Sequence, residues 1–353
     1  MTTRPPSPSP ALALLLLLLL LAPAHARQAA DSGAAPKPPG RLVDVGGYRL
    51  HLDCAGAGGP TVVLIAGAGD FSFDWSLVRP GASRFARVCS YDRAGLAWSD
   101  LGPTPRTMRQ DAYELHTLLA RAGVAPPYVL VGHSIGGLIA RVYAAQYPRE
   151  VAGVVLVDST SEDTTLSYQG RVVRVRDSAK ERTVPGVRTL AESPPRPPTE
   201  EDLKQAEMNR QVFGPPKIEP PFDRLPARAR ALRLWALSNP KLSAASDDFW
   251  PEELRDLHEE RARVKHPLGD LPLVSIVGAR AGPAPPGVEA EEWRRLSEEK
   301  RRQKEALAGL SSAGRLVVAE RSGHHVQLDE PALVVKVIRQ VVGAARLRAR
   351  RAR

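Results

Sequence analysis

The chain has 353 residues, of which 43% are hydrophobic and 5% aromatic, with 33 prolines and 28 glycines. That is enough apolar material for a sizeable core and many turns, and it excludes wholesale disorder. The formal net charge is +10, but "RLRARRAR" (346–353) supplies five of the arginines. Such a basic end reads as a solvated tail with at most weak contact to anionic surfaces, and an exported chain has no nucleic acid to meet.

In chain order, Arg4, the apolar run "ALALLLLLLLLA" (11–22) and "AHA" (24–26) make residues 1–26 a secretory signal peptide cleaved after Ala26. As a helix that run rises roughly 18 Å, short of a hydrocarbon core of about 30 Å. A secreted or periplasmic protein follows, or an anchored one if cleavage fails. Residues 27–40 read as a linker rich in Ala, Pro and Gly. "RLVDVGGYRLHLDC" (41–54) predicts two strands around Gly46-Gly47. "TVVLIAG" (61–67) and "ARVCSYD" (86–92) are apolar strands of the kind buried on both faces. A helix over 107–123, a strand over 128–132, a helix over 137–147 and a strand over 152–158 come next.

Strand alternating with helix predicts an α/β fold, a mostly parallel central sheet with helices on both faces. After Asp158 the texture changes to Arg, Glu and Pro, with helical stretches at 199–213 and 251–265. The strand–helix pattern returns at 271–278, 314–320 and 331–345. Residues 159–269 therefore read as a helical cap inserted into a core of 41–158 and 270–345. Cys54 and Cys89 lie at or near strand ends, where a disulfide and two buried thiols are equally ordinary.

The stretch that carries chemistry is "YVLVGHSIGG" (128–137), a strand running into Gly-x-Ser-x-Gly and then a helix. This is the pattern of a nucleophile elbow: Ser134 sits in a sharp turn, and Gly132 and Gly136 leave room where side chains would clash. A serine hydroxyl needs a base, and "ERSGHHVQLDEP" (320–331) offers His324 and His325 after a late strand.

Together with "VLIAGAG" and "YDRAGLAWSD", these segments resemble the α/β-hydrolase superfamily, in particular its cap-bearing, esterase-like serine hydrolases. The resemblance maps Gly323, His324, Asp329 and Pro331 onto the family's base motif and makes His324 the general base. It places the oxyanion hole in the loop after the third strand, with backbone N–H donors from Ala68 and Ile135. This chain has Ala66-Gly67 where many relatives have His-Gly. Asp92 and Arg93 look like a structural polar pair. The usual acid position after the seventh strand (273–287) holds no carboxylate, so Asp158, at the end of the sixth, is preferred over Glu289, Glu291 and Glu292.

The resemblance implies hydrolysis of a small carboxylic ester through Ser134, His324 and Asp158 by way of an acyl-enzyme. An amidase or peptidase of the same fold, or a non-catalytic binding protein, is the alternative. No cofactor motif is legible. His258-Glu259-Glu260 begins like a zinc helix, but Ala262 stands where the second histidine belongs. Substrate identity and oligomeric state have no signal in the sequence.

Overall fold

Strands that are apolar on both faces need cover on both faces, and the fold supplies it. The computed structural model describes residues 35–351 except 169–170, 202, 205–206, 209–214, 246–247 and 285–286. The signal-peptide expectation therefore lies outside the described residues. Met1–Lys37 and Pro38–Arg353 cluster as separate units, and the architecture that follows is that of the second.

Ten strands are described: β1 (Arg41–Asp44), β2 (Arg49–Ala55), β3 (Thr61–Ile65), β4 (Val88–Tyr91), β5 (Tyr128–His133), β6 (Val151–Val157), β7 (Thr165–Tyr168), β8 (Arg171–Arg174), β9 (Leu273–Gly278) and β10 (Gly314–Ala319). Eight of them form one sheet in the order β1-β2-β4-β3-β5-β6-β9-β10. β2 runs antiparallel to β1 and to β4, and every other neighbouring pair is parallel. The longer helices are α1 (Met108–Arg121), α2 (Ile135–Gln146), α3 (Ala227–Leu237), α4 (Trp250–Arg263), α5 (Ala290–Glu305) and α6 (Pro331–Arg351).

Alternate strand residues divide between two cores, as the period of two requires. Val62, Leu64, Val129, Val131, Val155 and Val157 pack with Val334, Val337, Ile338 and Val341 of α6. Val63, Ile65, Leu130 and Leu156 pack on the other face with Leu115, Leu118, Leu138 and Ile139 of α1 and α2. This is the α/β architecture expected from the sequence.

Two details differ from what the sequence led to expect. The basic end is not a separate tail, because α6 continues through it to Arg351. Arginine is a good helix former, and Arg346 and Arg348 dock onto the Phe85 carbonyl and Asp270. The segment between β6 and β9 is not wholly helical, since β7 and β8 pair as a short antiparallel hairpin. Of the two states the sequence left open for the cysteines, the structure has the disulfide: Cys54 and Cys89 face each other across the β2–β4 ladder and are joined.

The inserted segment is tied to the core by buried ionic contacts. Glu253 of α4 accepts from the backbone N–H groups of Met108 and Arg109, at 2.9 and 3.2 Å, and so caps the start of α1. Glu162 is buried between Arg141 of α2 and Arg261 of α4, at 2.6 and 2.9 Å. Burial would raise its pKa, but the charge and hydrogen bond of Arg141 and the charge of Arg261 together bring it down to about 2. Arg233 of α3 reaches Asp70 and Asp74 behind the loop that follows β3.

Candidate active site

The functional side chains gather at the carboxyl ends of the parallel strands, where open α/β sheets place their ligands. Ser134 sits between β5 and α2 with φ 53° and ψ −124°, a backbone region that costs of order 1–3 kcal/mol for a residue with a side chain. Its N–H donates to the Val157 carbonyl, while its own carbonyl accepts from Gly137 and Thr160. The glycines around it are forced by close approach. A Cβ on Gly132 would stand 2.2 Å from the Gly136 carbonyl oxygen, and one on Gly136 would stand 2.4 Å from that of Ile65.

Asp158 follows β6 with φ 42° and is almost fully buried. Its Oδ1 accepts from the Gly278 N–H at 3.0 Å, and its Oδ2 accepts from His324 Nδ1–H at 2.6 Å. Lys304 of α5 donates to that same Oδ2. Burial alone would raise the Asp158 pKa, but the charge of Lys304 and the His324 hydrogen bond hold the carboxyl well below the usual range.

β9 lies between β6 and β10, so the His324 loop must cross the end of β9 to meet Asp158. Gly278 makes the crossing possible, because a Cβ there would lie 2.2 Å from the Gly323 carbonyl oxygen. Asp329 braces the far side of the loop by accepting from the Gly323 N–H at 2.9 Å. The His324 side chain remains 44% exposed. Crowding on its inner side lowers its pKa, the bond to Asp158 opposes that, and His133 and Lys304 add to the lowering.

Ala68 and Ile135 line the same cavity as Ser134 and His324. Among the described residues, neither backbone N–H donates to a protein acceptor. The first N–H groups of a helix have no partner within it, which leaves that of Ile135 free for a ligand. Arg93 clamps the loop carrying Ala68 through the carbonyls of Ala66 and Gly67, at 2.6 and 3.0 Å. Asp92 binds elsewhere, to His51 Nδ1 and the Ser72 N–H, both at 2.7 Å. Asp92 and Arg93 are therefore two separate braces and do not pair with each other.

Glu289, Glu291 and Glu292 sit at the start of α5, and none has a hydrogen bond with His324. Behind the site, Asp70, His133 and His325 bring one carboxylate and two rings together within 4.8 Å, a group able to hold a metal ion. Two of its three members already have hydrogen-bond partners. His133 bonds Asp70 at 3.1 Å and the His324 carbonyl at 2.9 Å, and Arg233 lies 3.3 Å from Asp70. His325 is pushed down to about 3, by burial first and then by the charge of His133.

The cavity has a volume of about 790 Å³, within the range of small-molecule sites. Its walls are the β3, β5 and β10 loops, the segment 277–283, one face of α5, and Thr160, Thr164 and Trp250 of the insertion. Lys304 and Gly278 are functional positions that the sequence motifs do not include. Gly278 is signalled by the end of "SIVG", whereas nothing in the spacing of Lys304 points to Asp158.

An elbow serine, a histidine–carboxylate pair and two free N–H groups at strand ends of a mostly parallel sheet define the α/β-hydrolase class. A family model described as "Alpha/beta hydrolase family" matches residues 62–337, and the chain belongs to this family of hydrolases. It is 27% identical over 306 residues to an AB hydrolase superfamily protein of Gibberella zeae, covering 81% of this chain and 87% of that one. It is 36% identical over 131 residues to a probable transporter of Hormonema carpetanum, covering 35% of this chain and 19% of that protein. The chain spans less than half the length of several further curated relatives as well. Among solved structures, a thermophilic esterase from Thermogutta terrifontis superposes with a TM-score of 0.55 at 21% identity, over 84% of this chain and 94% of the esterase.

Proposed function

We propose that the protein is an exported serine hydrolase that cleaves a carboxylic ester through an acyl-enzyme. The observation that carries the reading is the 2.6 Å bond from His324 Nδ1 to Asp158 in the cavity that holds the strained Ser134. A carboxylate on Nδ1–H fixes the tautomer whose Nε2 is free to take a proton. Ser134 Oγ attacks the ester carbonyl carbon as His324 Nε2 takes its proton. The carbonyl oxygen gains charge between the N–H groups of Ala68 and Ile135. Collapse breaks the bond to the alcohol, which leaves with the proton from His324. Water then repeats the sequence on the acyl-serine, releasing the acid and restoring Ser134.

A fluorophosphonate probe should label Ser134, and Ser134→Ala should abolish labelling and cut kcat by about 10⁴-fold or more without unfolding the protein. Undiminished turnover in that variant overturns the proposal. Export is supported by the apolar run at 11–22 and by the Cys54–Cys89 disulfide, a bond suited to an oxidising compartment. The mature protein from its native host is expected to begin at Arg27, and an intact Met1 in its mass spectrum refutes cleavage.

A further inference from the structure

The cavity wall formed by α5 is mostly basic, and its one lining carboxylate, Glu298, lies 3.4 Å from Arg294. Trp293, Ser297, Lys300 and Lys304 line it at intervals of three or four residues, so one face of α5 runs along the site. Arg280, in the segment after β9, adds a second source of charge to the lining. Lys304 is matched by Asp158, but among the described residues neither Lys300 nor Arg280 has a carboxylate within ion-pair distance. Lys300 is half-buried, with its ammonium 5.6 Å from the centre of the Trp293 ring. Burial and the charge of Lys304 both lower its pKa. A cation held in this way is costly unless an anion joins it.

Resting on the hydrolase reading above, we infer that the substrate is an ester bearing a second, ionised acid group, which Lys300 and Arg280 bind one helical turn beyond the triad. Lys304 marks the triad end of the face, and Lys300 lies four residues back. That is about 6 Å of helix, roughly the span of an extended six-carbon diacid. The scissile carbonyl then reaches Ser134 while the far acid group meets the ammonium, with Ser297 and Trp293 of the cavity lining lying beyond Lys300 on the same helix.

Monoethyl adipate and 4-acetoxybutanoate, each compared with its uncharged counterpart (ethyl hexanoate and butyl acetate), test the inference. The expected result is a preference of about tenfold or more in kcat/KM for at least one acid-bearing ester, the size of a charge-assisted hydrogen bond. That ratio should fall in Lys300→Met and Arg280→Gln and shrink as NaCl is added. Measurable but equal rates for both members of each pair, or a preference untouched by both substitutions, overturn the inference and leave the hydrolase reading standing. Calorimetric titration with adipate provides a readout independent of turnover. Binding to the wild type that weakens in Lys300→Met supports the anion site even if no ester is cleaved, an outcome that refutes the hydrolase reading alone. Absence of adipate binding together with absence of any charge preference overturns the anion site.

Discussion

Replacing Lys304 with methionine separates two consequences of a single contact. Lys304 Nζ and His324 Nδ1 donate to the same oxygen of Asp158, the latter at 2.6 Å. Two groups sharing one acceptor lie within about 5 Å of each other. At that distance unit charges interact by about 3 kcal/mol at an effective dielectric near 20 and by under 1 kcal/mol in water. The side chains are 21% and 44% exposed, so solvent screens the pair and about 1 kcal/mol is the reasonable figure. This repulsion acts only on the imidazolium and therefore favours the neutral base. Without Lys304, the charged ring is less penalised and its folded-state pKa rises. The acid limb of kcat/KM should move to higher pH, and rates on that limb should fall about fivefold. The plateau should stay within about threefold of wild type, because Asp158 keeps His324 and the Gly278 N–H. The assay is kcat/KM for an uncharged ester against pH, with circular dichroism to check the fold and Lys304→Arg to retain the charge. A limb that stays in place while the plateau collapses refutes the electrostatic argument and reduces Lys304 to a brace.

Asp158→Asn should leave the protein folded but lower kcat by up to about 10⁴-fold through the wrong tautomer of His324, as stopped or continuous ester assays would read. Near-normal rates in that variant remove Asp158 from the chemistry. His51 should govern the alkaline side of stability, because it is fully buried and bonded to Asp92 at 2.7 Å and to the Pro39 carbonyl. Burial lowers its pKa, but the Asp92 bond and charge and the Pro39 carbonyl outweigh that, so the folded value is raised. Its contribution is then fully present below the unfolded value of about 6.5 and is lost as pH rises through the folded pKa. Urea melts should show falling stability across that window in the wild type and a flatter dependence in Asp92→Asn; a wild-type stability that climbs with pH there contradicts the assignment.

The layered α/β core was legible because strands such as "TVVLI" are apolar at every position, and a sheet covered on both faces is where such runs are stable. The elbow was legible for a steric reason, since Gly132 and Gly136 occupy positions where any Cβ collides with backbone. Local signals of this kind survive in a linear sequence. Contacts between distant elements do not. Lys304 lies 146 residues from Asp158 on a highly charged helix, where one lysine reads like the next. For the same reason the sequence shows Asp92 and Arg93 as structural polar residues but not their partners, His51 and Ser72 for one and the Ala66 and Gly67 carbonyls for the other. The end of α6 was misread because composition reports charge but not whether a neighbouring surface offers carbonyls and a carboxylate to receive it.

The crossing over Gly278 divides the molecule's tasks along its sequence. Ser134, Asp158 and His324 are fixed by strand ends and by backbone contacts that tolerate little change, whereas the basic wall comes from the stretch between β9 and β10. That stretch leaves the sheet at Gly278 and returns at Gly314, so its length and composition can vary without altering the register of either strand. Exchanging residues 279–303 for those of another family member would transplant a recognition surface onto an unchanged catalytic frame. Lys304 marks the limit of such an exchange, since one residue further along the graft would cut the only link by which the exchanged segment bonds Asp158 among the described residues.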